Sequence, residues 1–179
     1  MKQRSGMTLL LSSVLLLTGC QSLLPKAQGL STTQWQARDY QRQDQVEVQW
    51  KDKSFSFLLY QQQTGEQLQM LALSLTGQPL FTLNFDGKQV SVEQRIEQMR
   101  LLPFDFLVRD ILFATDLQFA QMPHEHVQLL STASGRDVYI NQKVVLHIVQ
   151  EQDHIRLDNV QVPYQMVIST VANTLEAAE

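Results

Sequence analysis

The chain is short of cysteine, of surplus positive charge and of long apolar runs, and each shortage excludes something. Cys20 is the only cysteine in 179 residues, so no intramolecular disulfide can form and the fold rests on its core alone. A chain of this length, about one domain, can build such a core. Fourteen basic residues stand against 18 acidic ones, a net charge of −4. With the signs scattered, that balance argues against nucleic acid as a partner, because phosphate binding needs a concentrated basic surface. It argues equally against electrostatic docking to anionic headgroups. The apolar run at residues 7–17 is too short for a stable bilayer-spanning helix, which takes roughly 20 residues. Motifs that carry catalysis are missing too: there is no G-x-S-x-G elbow, no phosphate-cradling glycine loop and no carboxylate pair arranged for acid–base work.

What is present starts at the N-terminus. Lys2 and Arg4 precede the apolar run, and Leu17-Thr18-Gly19-Cys20 closes it. Basic start, apolar middle and small residues before a cysteine resemble the leader and lipobox of bacterial lipoproteins. The plainer alternatives are an ordinary secretory leader containing a cysteine, or a short buried helix. The resemblance implies cleavage between Gly19 and Cys20 and acyl chains, palmitate among them, on Cys20. Two or more chains anchor a protein stably where one does not. Lipidation would consume the sulfur, which excludes a thiol nucleophile and a thiolate metal site. No cofactor is expected beyond that covalent lipid. Position 21 is Gln; in Gram-negative lipoproteins Asp there commonly signals inner-membrane retention. The resemblance therefore implies the outer membrane, periplasmic face. Without Lys2 and Arg4 the mature chain has 12 basic and 18 acidic residues, net −6.

Residues 20–34, with Pro25, Gly29 and a Ser/Thr run, read as the lipidated end and a tether. Beyond it the dominant pattern is period-two alternation. Val46, Val48 and Trp50 form one set, Phe55, Phe57 and Leu59 a second, Leu71, Leu73 and Leu75 a third, and Phe81, Leu83 and Phe85 a fourth. Thr64-Gly65, Thr76-Gly77 and Asp86-Gly87 supply turns, the last into Val90 and Val92. Near residue 93 the period changes. Phe104, Leu107, Val108, Ile111 and Leu112 fall at i, i+3, i+4, i+7 and i+8, one stripe of a helix, with Asp105, Arg109 and Asp110 largely opposite. Pro103 suits its first turn, and Phe106 and Phe113 widen the stripe. Residues 93–100 are a weaker helix candidate and residues 124–130 a short helical turn. Strands are expected again at 138–140, 144–149, 154–158 and 164–171, with Gln152-Asp153 as a turn. Residues 176–179 form a frayed tail. The expectation is an α+β domain over residues 35–175, a curved antiparallel sheet with a central helical segment.

The segments Leu80-Phe81-Thr82-Leu83-Asn84-Phe85-Asp86-Gly87, Leu101-Leu102-Pro103, Asp116-Leu117-Gln118-Phe119-Ala120-Gln121-Met122-Pro123 and Tyr164-Gln165-Met166-Val167-Ile168 resemble, in that order, a family of proteobacterial outer-membrane lipoproteins of unknown function. That family is found beside aryl-polyene and fatty-acid-synthase-like gene clusters, and its domain is similar to the lipoprotein carriers LolA and LolB. Met122 stands where the family tends to have an aromatic residue, and Pro163 where it tends to have Gly. The resemblance implies a half-open β-barrel whose mouth is closed by helices, around a cavity for acyl chains. It also implies a periplasmic LolA-like carrier or a lipid cargo as partner.

On that reading Phe57, Leu59, Leu71, Leu73, Phe81, Leu83, Phe85, Leu146, Ile148, Met166 and Ile168 line an acyl cavity, and Phe104, Leu107, Val108, Ile111 and Leu112 form its lid. Periodicity alone fits a solid core as well. Three functions follow: an outer-membrane lipoprotein that binds a hydrophobic ligand and assists its transfer; a structural or accessory lipoprotein of an envelope complex; and, remotely, a periplasmic hydrolase. Ser131 and Ser134 are the residues the last would need, and they sit in a turn composition. His124-Glu125-His126 follows Pro123 without a third ligand at useful spacing, so no metal site is expected. His147 and His154 read as structural or solvated.

Overall fold

The computed structural model describes residues 27–171. Ten strands form one antiparallel sheet: β1 (Tyr40–Trp50), β2 (Lys53–Thr64), β3 (Gln67–Leu73), β4 (Pro79–Phe85), β5 (Val90–Arg95), β6 (Val127–Ser131), β7 (Gly135–Ile140), β8 (Lys143–Gln150), β9 (Ile155–Asn159) and β10 (Tyr164–Thr170). Two helices, α1 (Phe104–Thr115) and α2 (Leu117–Gln121), stand between β5 and β6. The spatial order is β5-β4-β3-β2-β1-β10-β9-β8-β7-β6. Two five-strand meanders thus meet where the first strand pairs with the last, Val46 opposite Ile168 and Trp50 opposite Tyr164. The sheet is open, with β5 and β6 as its edges. The expected α+β class and antiparallel sheet hold. No helix among the described residues is long and apolar enough to cross a membrane.

Alternation explains the strands. In β1, Asp44, Val46, Val48 and Trp50 are buried while Gln41, Glu47 and Gln49 are exposed, the pattern of a sheet with one dry face. The dry face wraps around α1. Ten of the helix's 12 residues are buried, and it is gripped from widely separated strands. Phe104 meets Phe81 of β4 edge-on, ring centroids 5.1 Å apart. Asp110 accepts a hydrogen bond from Tyr164 of β10. Arg136 of β7 donates to the carbonyls of Phe113 and Ala114 at 2.7 and 3.1 Å, capping the carbonyl end of the helix with a cation.

Four expectations are corrected. Residues 93–100 are the end of β5 and one short 3-10 turn, Glu97–Met99: the ladder Phe81 to Arg95 takes their backbone bonds. Residues 127–131 are strand, because Val127 to Ser131 pair with Ile140 to Arg136. Arg109 and Asp110 do not face water, because Gln28 and the β9–β10 hairpin cover that part of the helix. Finally, the tether does not reach residue 34. Ala27, Leu30 and Thr32 are buried, and residues 27–34 strap the β4–β5 turn to the start of β6. The Thr32 N–H donates to the Gly87 carbonyl at 3.0 Å, and its hydroxyl to the Pro123 carbonyl at 2.9 Å. Residues 1–26 and 172–179, with the leader, Gly19, Cys20 and the frayed tail, lie outside the described residues.

Candidate functional site

The interior is built from alternate positions of the strands. Of the proposed cavity set, Phe57, Leu59, Phe81, Leu83, Phe85, Leu146, Ile148, Met166 and Ile168 are buried on the inner face. Leu71 and Leu73 are not: they are half-buried on the outer face, and Leu68, Met70 and Ala72 are buried in their place. Pairing decides this. Leu59 points inward and stands opposite Ala72, so Leu71 falls opposite outward-facing Tyr60, and a one-residue slip flips every side chain. The five proposed lid residues are all buried, none more than 6 % exposed. They face the same interior as the strand residues, joined there by Phe106 and Phe113.

Packing within this interior is aromatic and edge-on. Phe57 touches Phe81, Phe81 touches Phe104, and Phe113 touches Phe119, at centroid separations of 5.4, 5.1 and 5.2 Å. Seven large apolar side chains of α1 are buried, which at ~1.5–3 kcal/mol each is on the order of 10–20 kcal/mol of transfer free energy. The helix fills the interior of the curved sheet.

Two polar clusters fasten α1, and sequence patterning did not reveal either as buried. The first lies in mid-helix. Arg109 and Asp110 are both fully buried and paired, Nε to Oδ1, at 2.7 Å. Asp110 also accepts from Asn159 Nδ2 at 2.5 Å and from the Tyr164 hydroxyl, three donors on one carboxylate. Burial first, and the Asp110 charge second, hold the Tyr164 hydroxyl well above the ordinary tyrosine value. Arg109 Nη1 donates to the Gln28 carbonyl at 3.0 Å and to Gln161 Oε1 at 2.9 Å, and the guanidinium lies 5.0 Å from the Phe106 ring.

The second cluster closes the C-terminal end. Asp116, 3 % exposed, pairs with Arg38 and caps α2 by accepting from the Phe119 N–H at 3.1 Å. Arg38 Nε also donates to Gln63 Oε1 at 2.7 Å, and its Nη1 to Gln118 Oε1 at 2.7 Å. Its guanidinium stands 4.7 Å from the Tyr40 ring. The Tyr40 hydroxyl is buried beside Thr115; burial, and then the charge of Asp116, push it up to about 12.

The remaining candidates do not converge. Ser131 ends β6 and Ser134 lies in the turn to β7, both exposed. His124 is half-buried, its ring 4.6 Å from that of Phe119 and its Nε2 2.9 Å from the Phe119 carbonyl. His126 points to solvent. His147 pairs with Asp137 at 2.8 Å. Among the described residues, no three His, Asp or Glu side chains gather at metal-binding separation.

Where the strap crosses between the β4–β5 turn and β7, it leaves a cleft of about 470 Å³. Its apolar wall is Ala27, Leu30, Val90 and Ile140, and its rim includes Lys88, Asp105, Glu125 and His126. Residues 41–172 match a family described as "Protein of unknown function (DUF3261)"; the match takes in both helices and the ten strands from the second residue of β1 onward. No curated protein matches the sequence.

Proposed function

Because the chain belongs to the DUF3261 family, whose function is unknown, its role has to be read from its own residues, and we propose that it is an outer-membrane lipoprotein that binds a hydrophobic ligand and assists its transfer to the membrane. Cys20, after cleavage at Gly19, carries the acyl anchor on this reading and holds the domain at the periplasmic face. The sheet is the half-open barrel of a LolA/LolB-like carrier, α1 is its lid, and a periplasmic LolA-like carrier or a lipid supplies the cargo.

The observation that carries the reading is an apolar helix enclosed by an open sheet. An open edge lets the wall part, and the apolar side of the helix offers a surface along which an acyl chain can lie. A chain of about 16 carbons gains about 0.8 kcal/mol per CH₂ buried, roughly 13 kcal/mol in all.

The full burial of α1 also supports a second reading, an accessory lipoprotein with a permanently solid domain. Native mass spectrometry and fluorescent fatty-acid titration of the mature chain carrying Cys20→Ser separate the two. A carrier retains or takes up an acyl ligand in one-to-one stoichiometry; a domain that copurifies empty and ignores every fatty acid is an accessory protein. The anchor is tested apart: Cys20→Ala leaves the protein soluble or with its leader uncleaved, and continued outer-membrane fractionation with acyl labelling would refute the lipobox.

A further inference from the structure

We propose that the strap cleft, with Arg109 beneath it, is the site that takes the carboxylate of a fatty acid. The inference rests on the ligand-binding reading above and adds the headgroup and its anchor.

The observation is an unused valence. Arg109 is fully buried, its Nε is taken by Asp110 and its Nη1 by Gln28 and Gln161, yet Nη2 has no partner among the described residues. A buried donor left unmade carries most of its desolvation penalty, and an acceptor oxygen that reaches it recovers that penalty. A carboxylate recovers more than a hydroxyl, because hydrogen bonds between charged groups are roughly twice as strong.

The cleft gives the path. Gln28, whose carbonyl accepts from Arg109 at 3.0 Å, is one of its lining residues, and Asp105, one helical turn before Arg109 on α1, is another. The guanidinium therefore lies behind the strap, its Nη1 on the carbonyl of a residue that lines the cleft. A volume of about 470 Å³ is within the range of small-ligand sites. The wall of Ala27, Leu30, Val90 and Ile140 suits the first methylenes of a tail; at the rim Lys88 is the cation, and the carboxylates of Asp105 and Glu125 stand there with it.

Chain length names the source. Cys20 and Ala27 are seven residues apart, so a lipid on Cys20 is held within about 25 Å of the cleft. The cleft is thus tied to the bilayer surface, where free fatty acids partition. Partial withdrawal of the strap would uncover Arg109 and admit the headgroup.

The test uses the mature chain with Cys20→Ser and displacement of a dansyl-undecanoic acid probe by palmitate, hexadecanol or a short-chain phosphatidylglycerol. Palmitate is expected to bind about tenfold or more tighter than hexadecanol. Arg109→Met alone strands Asp110, so the diagnostic variant is Arg109→Met with Asp110→Asn, which removes both charges together; there the ratio falls to about one. Lys88→Glu, a surface change at the rim, weakens palmitate about threefold and leaves hexadecanol unchanged.

Equal binding of palmitate and hexadecanol by the unaltered chain overturns the inference while leaving the ligand-binding reading intact. So does a ratio that survives in a folded double variant. Lys88→Glu without effect removes the site from the cleft. Phosphatidylglycerol outcompeting palmitate overturns the carboxylate assignment. Failure of every acyl competitor brings down the ligand-binding reading itself.

Discussion

The helix α1 is tied down twice, by the same chemistry in two different settings. In mid-helix, Arg109 and Asp110 are neighbours in the chain, both sealed from solvent, and their partners come from the β9–β10 hairpin and, through the Gln28 carbonyl, from the strap. At the C-terminal end, Asp116 meets an arginine 78 residues away, and Arg38 is 16 % exposed, with one nitrogen bonded to exposed Gln118. The inner pair cannot exchange its partners for water unless the helix leaves or the strap lifts from Arg109. The outer pair can, one bond at a time. If α1 moves, the end beside Asp116 is therefore the one that loosens first.

The comparison breaks most visibly at Asp110. Asp110→Ala leaves Arg109 charged and buried without its carboxylate, and also orphans the Asn159 amide and the Tyr164 hydroxyl. The expected loss is about 3–5 kcal/mol, read as a lower denaturant midpoint at unchanged slope. Asp116→Ala removes a helix cap and a partly solvated ion pair, about 1–2 kcal/mol together. In hydrogen exchange the second variant should free the amides of α2 while those around Asp110 stay protected. Equal losses for the two variants would mean that the two clusters are sealed alike.

Each cluster also carries a tyrosine raised above its ordinary value of 10, by burial in both cases. A folded-state value raised above the unfolded one means that folding favours the protonated hydroxyl. The corresponding stability is fully present below about pH 10 and is withdrawn as pH rises through the folded value. For Tyr40 that window is about pH 10 to 12; for Tyr164 it extends higher. Urea melts across this range should show a decline that Tyr40→Phe reduces within the window. Tyr164→Phe should reduce it over a wider one. A decline unchanged in both variants would remove the tyrosines from the account.

Much of this architecture was legible in the sequence, and the failures have physical causes. Alternation located nine of the ten strands, and the 3.6-residue stripe located α1. In β3 two period-two sets compete, Leu68, Met70 and Ala72 against Leu71 and Leu73; the second is all leucine and runs on to Leu75, but cross-strand register with Leu59 sets the face. The short edge strand β6 has only Val127 and Leu129 on its inner side and looks like a loop until β7 pairs with it. The two clusters were invisible for a different reason. Charges opposite an apolar stripe mean a wet face on a surface helix, and only the wrapping of the sheet, a non-local fact, makes that face dry. The strap was misread because its Ser, Thr and Gly are turn residues by composition, while their hydrogen bonds reach Gly87 and Pro123, some 55 and 90 positions on.

The finest test of the comparison is its smallest effect. Gln118 accepts from Arg38 Nη1 at 2.7 Å, a bond that would rank with the better ones in the molecule on distance alone. It is exposed, so water replaces the amide oxygen when it is removed, and Gln118→Ala should cost no more than about 0.5 kcal/mol. Asn159→Ala strips a donor from Asp110 where water cannot follow, together with the two backbone N–H bonds that its Oδ1 accepts from Gln161 and Val162, and should cost about 1–3 kcal/mol. The order of the two costs therefore reports which anchor is the drier and more fully bonded. A Gln118 cost that matched that of Asn159 would place the outer clamp in the same sealed interior and leave α1 without an end at which to open.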